Sequence, residues 1–274
     1  GNLLFYSNGV SVWNSRHKKI NDAPVFGVSD NNAGTGLCYI PYPAHPGKYF
    51  VAGVYPNFDE TPSGVRFFMV DVAANTVSPY REFSHPSLPN RFSQYLTVVP
   101  HCNGRDYWIV TKGHGGLYNN NFYAFLVTSS GIDVAQAPVI SSGFSLRGFG
   151  GSGYQLKASR AGDQLILTAP RSDAAAALYD FDSRTGAVNH ERLVPNVTGY
   201  NNIQSGVAFS PNGRYFYLMR SSDLALNGPP YWLFQYRVSD FEYNIIATTG
   251  FYFSSVFQLG PDNQLYIANS YNFL

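Results

Sequence analysis

Apolar positions along this chain recur with a period of two. Trp232, Phe234, Tyr236 and Val238 alternate with Leu233, Gln235 and Arg237, inside the longest stretch free of glycine and proline, 231–249. Successive side chains of a β-strand point to opposite faces, so this alternation predicts a half-buried strand. Elsewhere glycine and proline interrupt the chain too often for a helix of several turns. The alanine run 174–177 is the one place where a helical turn is expected. The pattern predicts an all-β chain.

Five segments then share one shape: an apolar strand, a tight polar turn and a second apolar strand. They are 37–52, 96–110, 154–167, 207–218 and 256–267, with turn dipeptides such as Asn103-Gly104 and Asn212-Gly213 that favour φ > 0. A third strand with its own turn follows at 67–75, 122–131, 178–186 and 233–240, and a fourth at 187–194 and 243–248. Four strands roughly every fifty residues is the blade of a β-propeller. A two-sheet sandwich has no reason to repeat at this period. The expectation is one β-propeller domain over 1–274 with four-stranded antiparallel blades. Six blade repeats are visible, six or seven on closure, and the terminal blades are incomplete: the first lacks its inner strand, the last its outer pair. The abrupt ends suggest an excerpt of a longer multidomain chain.

In an up-and-down blade, the first-to-second and third-to-fourth turns open at one end. Here those turns are uniformly tight. The remaining connections are long, at 21–36, 54–64, 86–94, 112–121, 141–153, 171–176, 195–205 and 220–230. Long loops carried by a rigid scaffold are where binding and catalysis concentrate.

Residues 1–14, 101–110, 121–131, 156–159, 179–186, 209–213 and 265–268 resemble, in this order, propeller regions of large secreted Bacteroidetes proteins. Those proteins are commonly exported by the type IX system and end in a gliding-motility-associated or sorting domain. The resemblance implies a module at the outer cell surface or outside the cell, with other domains or the export machinery of the same system as partners. On this reading the chain is a noncatalytic unit for adhesion, ligand capture or display, and no enzyme. The alternative is a propeller-scaffold hydrolase acting on glycans or lactones.

Composition narrows the partners. Charged residues make up 13% of the chain and the net charge is +1, against about 25% charged residues in ordinary soluble domains. A neutral chain this poor in Lys and Arg lacks the basic footprint of a nucleic-acid binder. No apolar run approaches the length of a membrane helix. Two cysteines, Cys38 and Cys102, cannot close a zinc site alone and are expected to be unpaired.

The chemistry candidates are sparse. The six histidines form no metal-binding spacing, and neither a cofactor nor a metal is expected. His114, in the glycine-rich loop 112–116, reads as a ligand or general base, or simply as part of a mobile loop. The glycine cluster 150–153 lacks the strand-to-helix elbow of a hydrolase nucleophile. Asp59, Glu60, Asp173 and Asp223 share the long-loop end. Aromatic rings beside amides there suit a glycan or an extended peptide, which need an apolar plane and directional hydrogen bonds. The binding residues expected on this basis are Tyr55, Tyr118, Asn120, Arg147, Asn202 and Tyr231.

Overall fold

Strands form where the alternation predicts them. The computed structural model describes residues 2–27, 36–55, 63–114, 120–143, 155–168, 174–197, 202–221, 231–249, 256–260 and 262–268, and among these no helix occurs. The chain divides into two compact units: residues 1–142 with 183–187, and 143–182 with 188–274.

The first unit opens with β1 (Phe5–Ser7) and β2 (Val12–Asn14), a two-stranded sheet. A second sheet holds β3 (Cys38–Pro41), β4 (Lys48–Tyr55), β5 (Gly64–Asp71), β6 (Thr76–Val77) and β7 (Arg81–Glu82). Here β6 and β7 both pair with β5, as two halves of one interrupted fourth strand. Pro79 lies between them and has no N–H to offer a ladder, which accounts for the break. A third sheet runs β8 (Phe92–Pro100), β9 (Tyr107–Gly113), β10 (Asn121–Val127) and β11 (Val139–Ser142).

The second unit repeats the plan. One sheet orders β12 (Leu156–Ala158), β13 (Gln164–Thr168), β14 (Ala176–Asp182) and β15 (Ala187–Val194). Another orders β16 (Asn202–Phe209), β17 (Tyr215–Ser221), β18 (Tyr231–Arg237) and β19 (Tyr243–Thr249). Two strands, β20 (Val256–Leu259) and β21 (Leu265–Ala268), make a final pair. Every pairing between these strands is antiparallel, and strands follow one another in sequence order, so several four-stranded up-and-down sheets are established.

The helical turn expected at 174–177 is corrected. All four alanines are buried, the Ala175 N–H donates to Val194 O at 2.8 Å, and Ala176 pairs with Thr168. Pairing with two neighbouring strands outweighs alanine's helix propensity, which is a weak preference.

Alternate strand residues supply the cores. In the first unit Ile40, Phe50, Phe67, Leu96, Ile109 and Phe125 join one cluster across the sheets containing β4 and β9. In the second, Ile166, Leu178, Phe209, Phe216, Leu218 and Phe234 do the same for those containing β13 and β17. Aromatic rings carry much of this packing, as with Phe83 and Phe125 at 3.9 Å between centroids. Burial of such side chains is the main stabilising term, about 1.5–3 kcal/mol each relative to exposure.

At the tight ends a left-handed residue recurs at equivalent positions. Gly104, Gly162, Gly213 and Asn263 close first-to-second turns, while Asn75, Gly131, Gly186 and Phe241 sit in third-to-fourth turns. A polar side chain seals several of them from inside. Ser210 Oγ accepts from the Tyr215 N–H at 3.0 Å, Ser159 Oγ accepts from the Gln164 N–H at 3.1 Å, and His101 Nδ1 accepts from the Asn103 N–H at 3.0 Å.

Candidate functional site

The sheet ends opposite the tight turns bury polar side chains. In the first unit Ser63, Ser93, Thr111 and Lys112 are buried there. Ser63 Oγ donates to Phe92 O at 3.1 Å and accepts from the Phe92 N–H at 2.8 Å, tying the start of β5 to that of β8. Ser93 Oγ donates to Lys112 O at 2.9 Å. The Lys112 ammonium lies 4.6 Å from the centre of the buried Phe122 ring, a cation–π contact shielded from water. His114 follows directly on β9. It is half-buried, and its backbone N–H donates to Arg91 O at 3.1 Å.

Register slips mark the same ends. The β8–β9 ladder is irregular between Phe92 and Leu96, and the β16–β17 ladder between Gln204 and Val207. Bulges bend a strand and re-aim its side chains, and they recur beside active sites.

In the second unit the corresponding end buries Gln155, Thr168 and Arg220. Thr168 Oγ1 accepts from the Gln155 N–H at 2.8 Å, and Gln155 Oε1 accepts from the Val207 N–H at 3.3 Å. Arg220, fully enclosed near the end of β17, donates from Nη1 to the Tyr236 hydroxyl at 2.7 Å and from Nη2 to Asn196 Oδ1 at 3.3 Å. Its guanidinium carbon stands 5.5 Å from the centre of the Phe234 ring. Burial raises the Tyr236 phenol above its ordinary pKa, and the Arg220 charge and hydrogen bond, which pull the other way, do not reverse this. Tyr236 is therefore a neutral phenol at neutral pH.

The six expected binding residues do not form one exposed set. Tyr55 ends β4 with 2% of its surface exposed, its ring stacked 4.3 Å from Phe26. Tyr231 opens β18 fully buried, in a cluster with Ala208, Met219, Leu233 and Phe257. The expectation that these two rings project from loops is corrected: each falls on the inward face of a strand, β4 ending later and β18 beginning earlier than the loop reading assumed. Asn120 is half-buried beside the start of β10. Asn202 opens β16, opposite Ser221. Tyr118 and Arg147 lie outside the described residues, as do Asp59, Glu60, Asp173, Asp223 and the glycine cluster 150–153. Among the described residues no group of three metal-ligating side chains occurs.

Sequence reasoning missed Lys112 and Arg220 as interior groups, having assigned both to the starts of loops. The available signal was a single cation at the end of an apolar strand in a chain with few charges. A shallow cleft at the tight-turn end of the first unit, about 180 Å³ and lined by Phe5, Asn14, Arg16, Ile20, Val70 and Asn75 among others, is smaller than the roughly 300–1,000 Å³ usual for small-molecule sites.

No family model matches the chain, and no curated protein matches it. Solved structures do. A protein provisionally named 6-phosphogluconolactonase from Bacteroides uniformis matches 97% of this chain and 74% of its own, at 15% identity and a TM-score of 0.54. A second with that provisional name, from Bacteroides fragilis, matches 97% and 73% at 16% identity and a TM-score of 0.53. A glucose dehydrogenase matches 96% and 87% at 13% identity and a TM-score of 0.50. At such identities the likeness establishes the fold. All three are described as enzymes, none as an adhesion or display module. The expectation of a noncatalytic, non-enzymatic unit is corrected on this ground: the structures that share the fold are named as enzymes.

Proposed function

We propose that the chain is a hydrolase on a propeller scaffold, acting on lactones or glycans at the sheet ends that carry the long connections. The observation that carries this reading is the fold likeness along 97% of the chain to two proteins named 6-phosphogluconolactonase. The buried polar groups and register slips at those ends support the choice of end. The repeat count supports closure as six or seven blades, and the resemblance to exported Bacteroidetes proteins supports a place outside the cell.

Hydrolysis of a lactone requires a water, a group that takes its proton, and a donor for the carbonyl oxygen as negative charge builds. His114 is assigned the proton-accepting role. Its backbone is pinned by Arg91 O, and β9 holds it one residue beyond the strand end. The test is to offer the purified chain δ-gluconolactone and, separately, chromogenic aryl glycosides. Hydrolysis of one class above its spontaneous rate is expected. Background rates with both classes would discard the proposal.

A further inference from the structure

Arg220 heads the largest fully buried side chains among the described residues, and its guanidinium is only partly satisfied. Of five N–H groups, one on Nη1 meets Tyr236 and one on Nη2 meets Asn196, while the buried Nε–H meets no acceptor. Both acceptors are neutral, and among the described residues no carboxylate pairs with Arg220. A buried cation is strongly unfavourable unless an opposite charge reaches it. Structural partners alone would favour a neutral side chain here.

We propose that Arg220 is an anion-binding residue, taking two oxygens of a small oxyanion, the carboxylate or phosphate of a ligand. The planar guanidinium suits this, since Nε–H and a neighbouring Nη N–H point the same way and match two oxygens of one oxyanion. Tyr236 adds a donor. Its oxygen already accepts from Arg220, so its own proton is left to donate to the anion. Phe234 and the apolar cluster around Phe216 and Leu218 keep the surroundings poorly solvated, which strengthens the charge. The site lies within the second unit, where Asn196, just past β15, faces β17. The inference stands on these contacts and does not require the hydrolase reading, because an anion can bind without turnover.

The experiment follows the side-chain Nε–H resonances of the full chain, labelled with nitrogen-15 arginine. Inorganic phosphate, gluconate and, at matched ionic strength, sodium chloride are titrated separately. The Arg220 resonance, identified by its loss in R220K, should shift saturably with an oxyanion and stay still with chloride. Saturation by phosphate identifies the phosphoryl group as the ligand chemistry, and tighter saturation by gluconate identifies a sugar-acid carboxylate. Y236F should weaken that binding about tenfold, the size of a charge-assisted hydrogen bond. If R220K does not fold, the wild-type titration still decides, with the resonance identified by its displacement in Y236F. No saturable shift with either oxyanion, or an equal shift with chloride, would overturn the proposal.

Discussion

Gly213 and Gly186 share the left-handed conformation, at φ of 69° and 79°, but not the same surroundings. A Cβ on Gly213 would meet nothing within 4 Å, whereas one on Gly186 would stand 2.9 Å from the Trp108 ring. The backbone term alone predicts that G213A loses about 1–2 kcal/mol. G186A should lose clearly more, because Trp108 is held in place by its indole N–H bond to Ser183 O at 2.9 Å and cannot easily yield. Paired urea melts check this, and equal losses would contradict the packing account. Tyr231 supplies a second test at this scale. Being fully buried, it should lose about 3–5 kcal/mol on replacement by alanine, as large aromatic core residues do. A loss under 1 kcal/mol would return it to the exposed role expected from sequence. Such details were the least legible part of the chain. An aromatic ring at a strand end reads equally well as loop or core until its neighbours from other strands are known.

Strands themselves were legible because local and tertiary demands agree. The fourth strands expected at 187–194 and 243–248 appear as Ala187–Val194 and Tyr243–Thr249, bounded by turn residues that need φ > 0 or sit beside them. Alternation failed where a partner strand decided the outcome, as in the alanine run whose last two residues open β14, and where Pro79 split a strand in two. The turns also predict a response to acid. Asp240 has its carboxyl held below the ordinary value first by its hydrogen bond from Arg237 and then by the Glu242 N–H, while Asp71 is held low first by the Ala74 N–H and then by Lys48. A carboxyl whose folded pKa is depressed stabilises the fold above its unfolded pKa, and that contribution is lost as pH falls through the folded one. The melting temperature should therefore drop on acidification below the ordinary carboxyl value of 3.8. D71N and D240N should each reduce the size of that drop in calorimetry between pH 5 and pH 2.5. An unchanged acid profile in both variants would rule the turn carboxylates out as its source.

At the scale of the whole molecule, the all-β, repeated architecture follows from period-two alternation and turns recurring every fifty or so residues. The function did not follow, because one fold hosts many activities and the chemistry lies in sites grafted on it. Phe92, Ser93, Lys112 and His114 belong to one sheet end, yet they come from strands separated by a tight turn and by the length of two strands. Nothing local in sequence draws them together. The noncatalytic reading rested on the resemblance to exported surface proteins, and the scarcity of clustered acids beside it does not weigh against a water-using reaction served by one imidazole. The most direct test of the central claim is a pH-stat measurement of δ-gluconolactone hydrolysis at pH 7 by the wild-type chain and H114A. The account predicts catalysis by the wild type and a fall in kcat of about 10²–10⁴ in H114A, the usual worth of a general base, with an unchanged melting temperature. Equal rates in the two proteins would contradict the role of His114, and no rate above the spontaneous reaction in either, here and with aryl glycosides, would contradict the hydrolase.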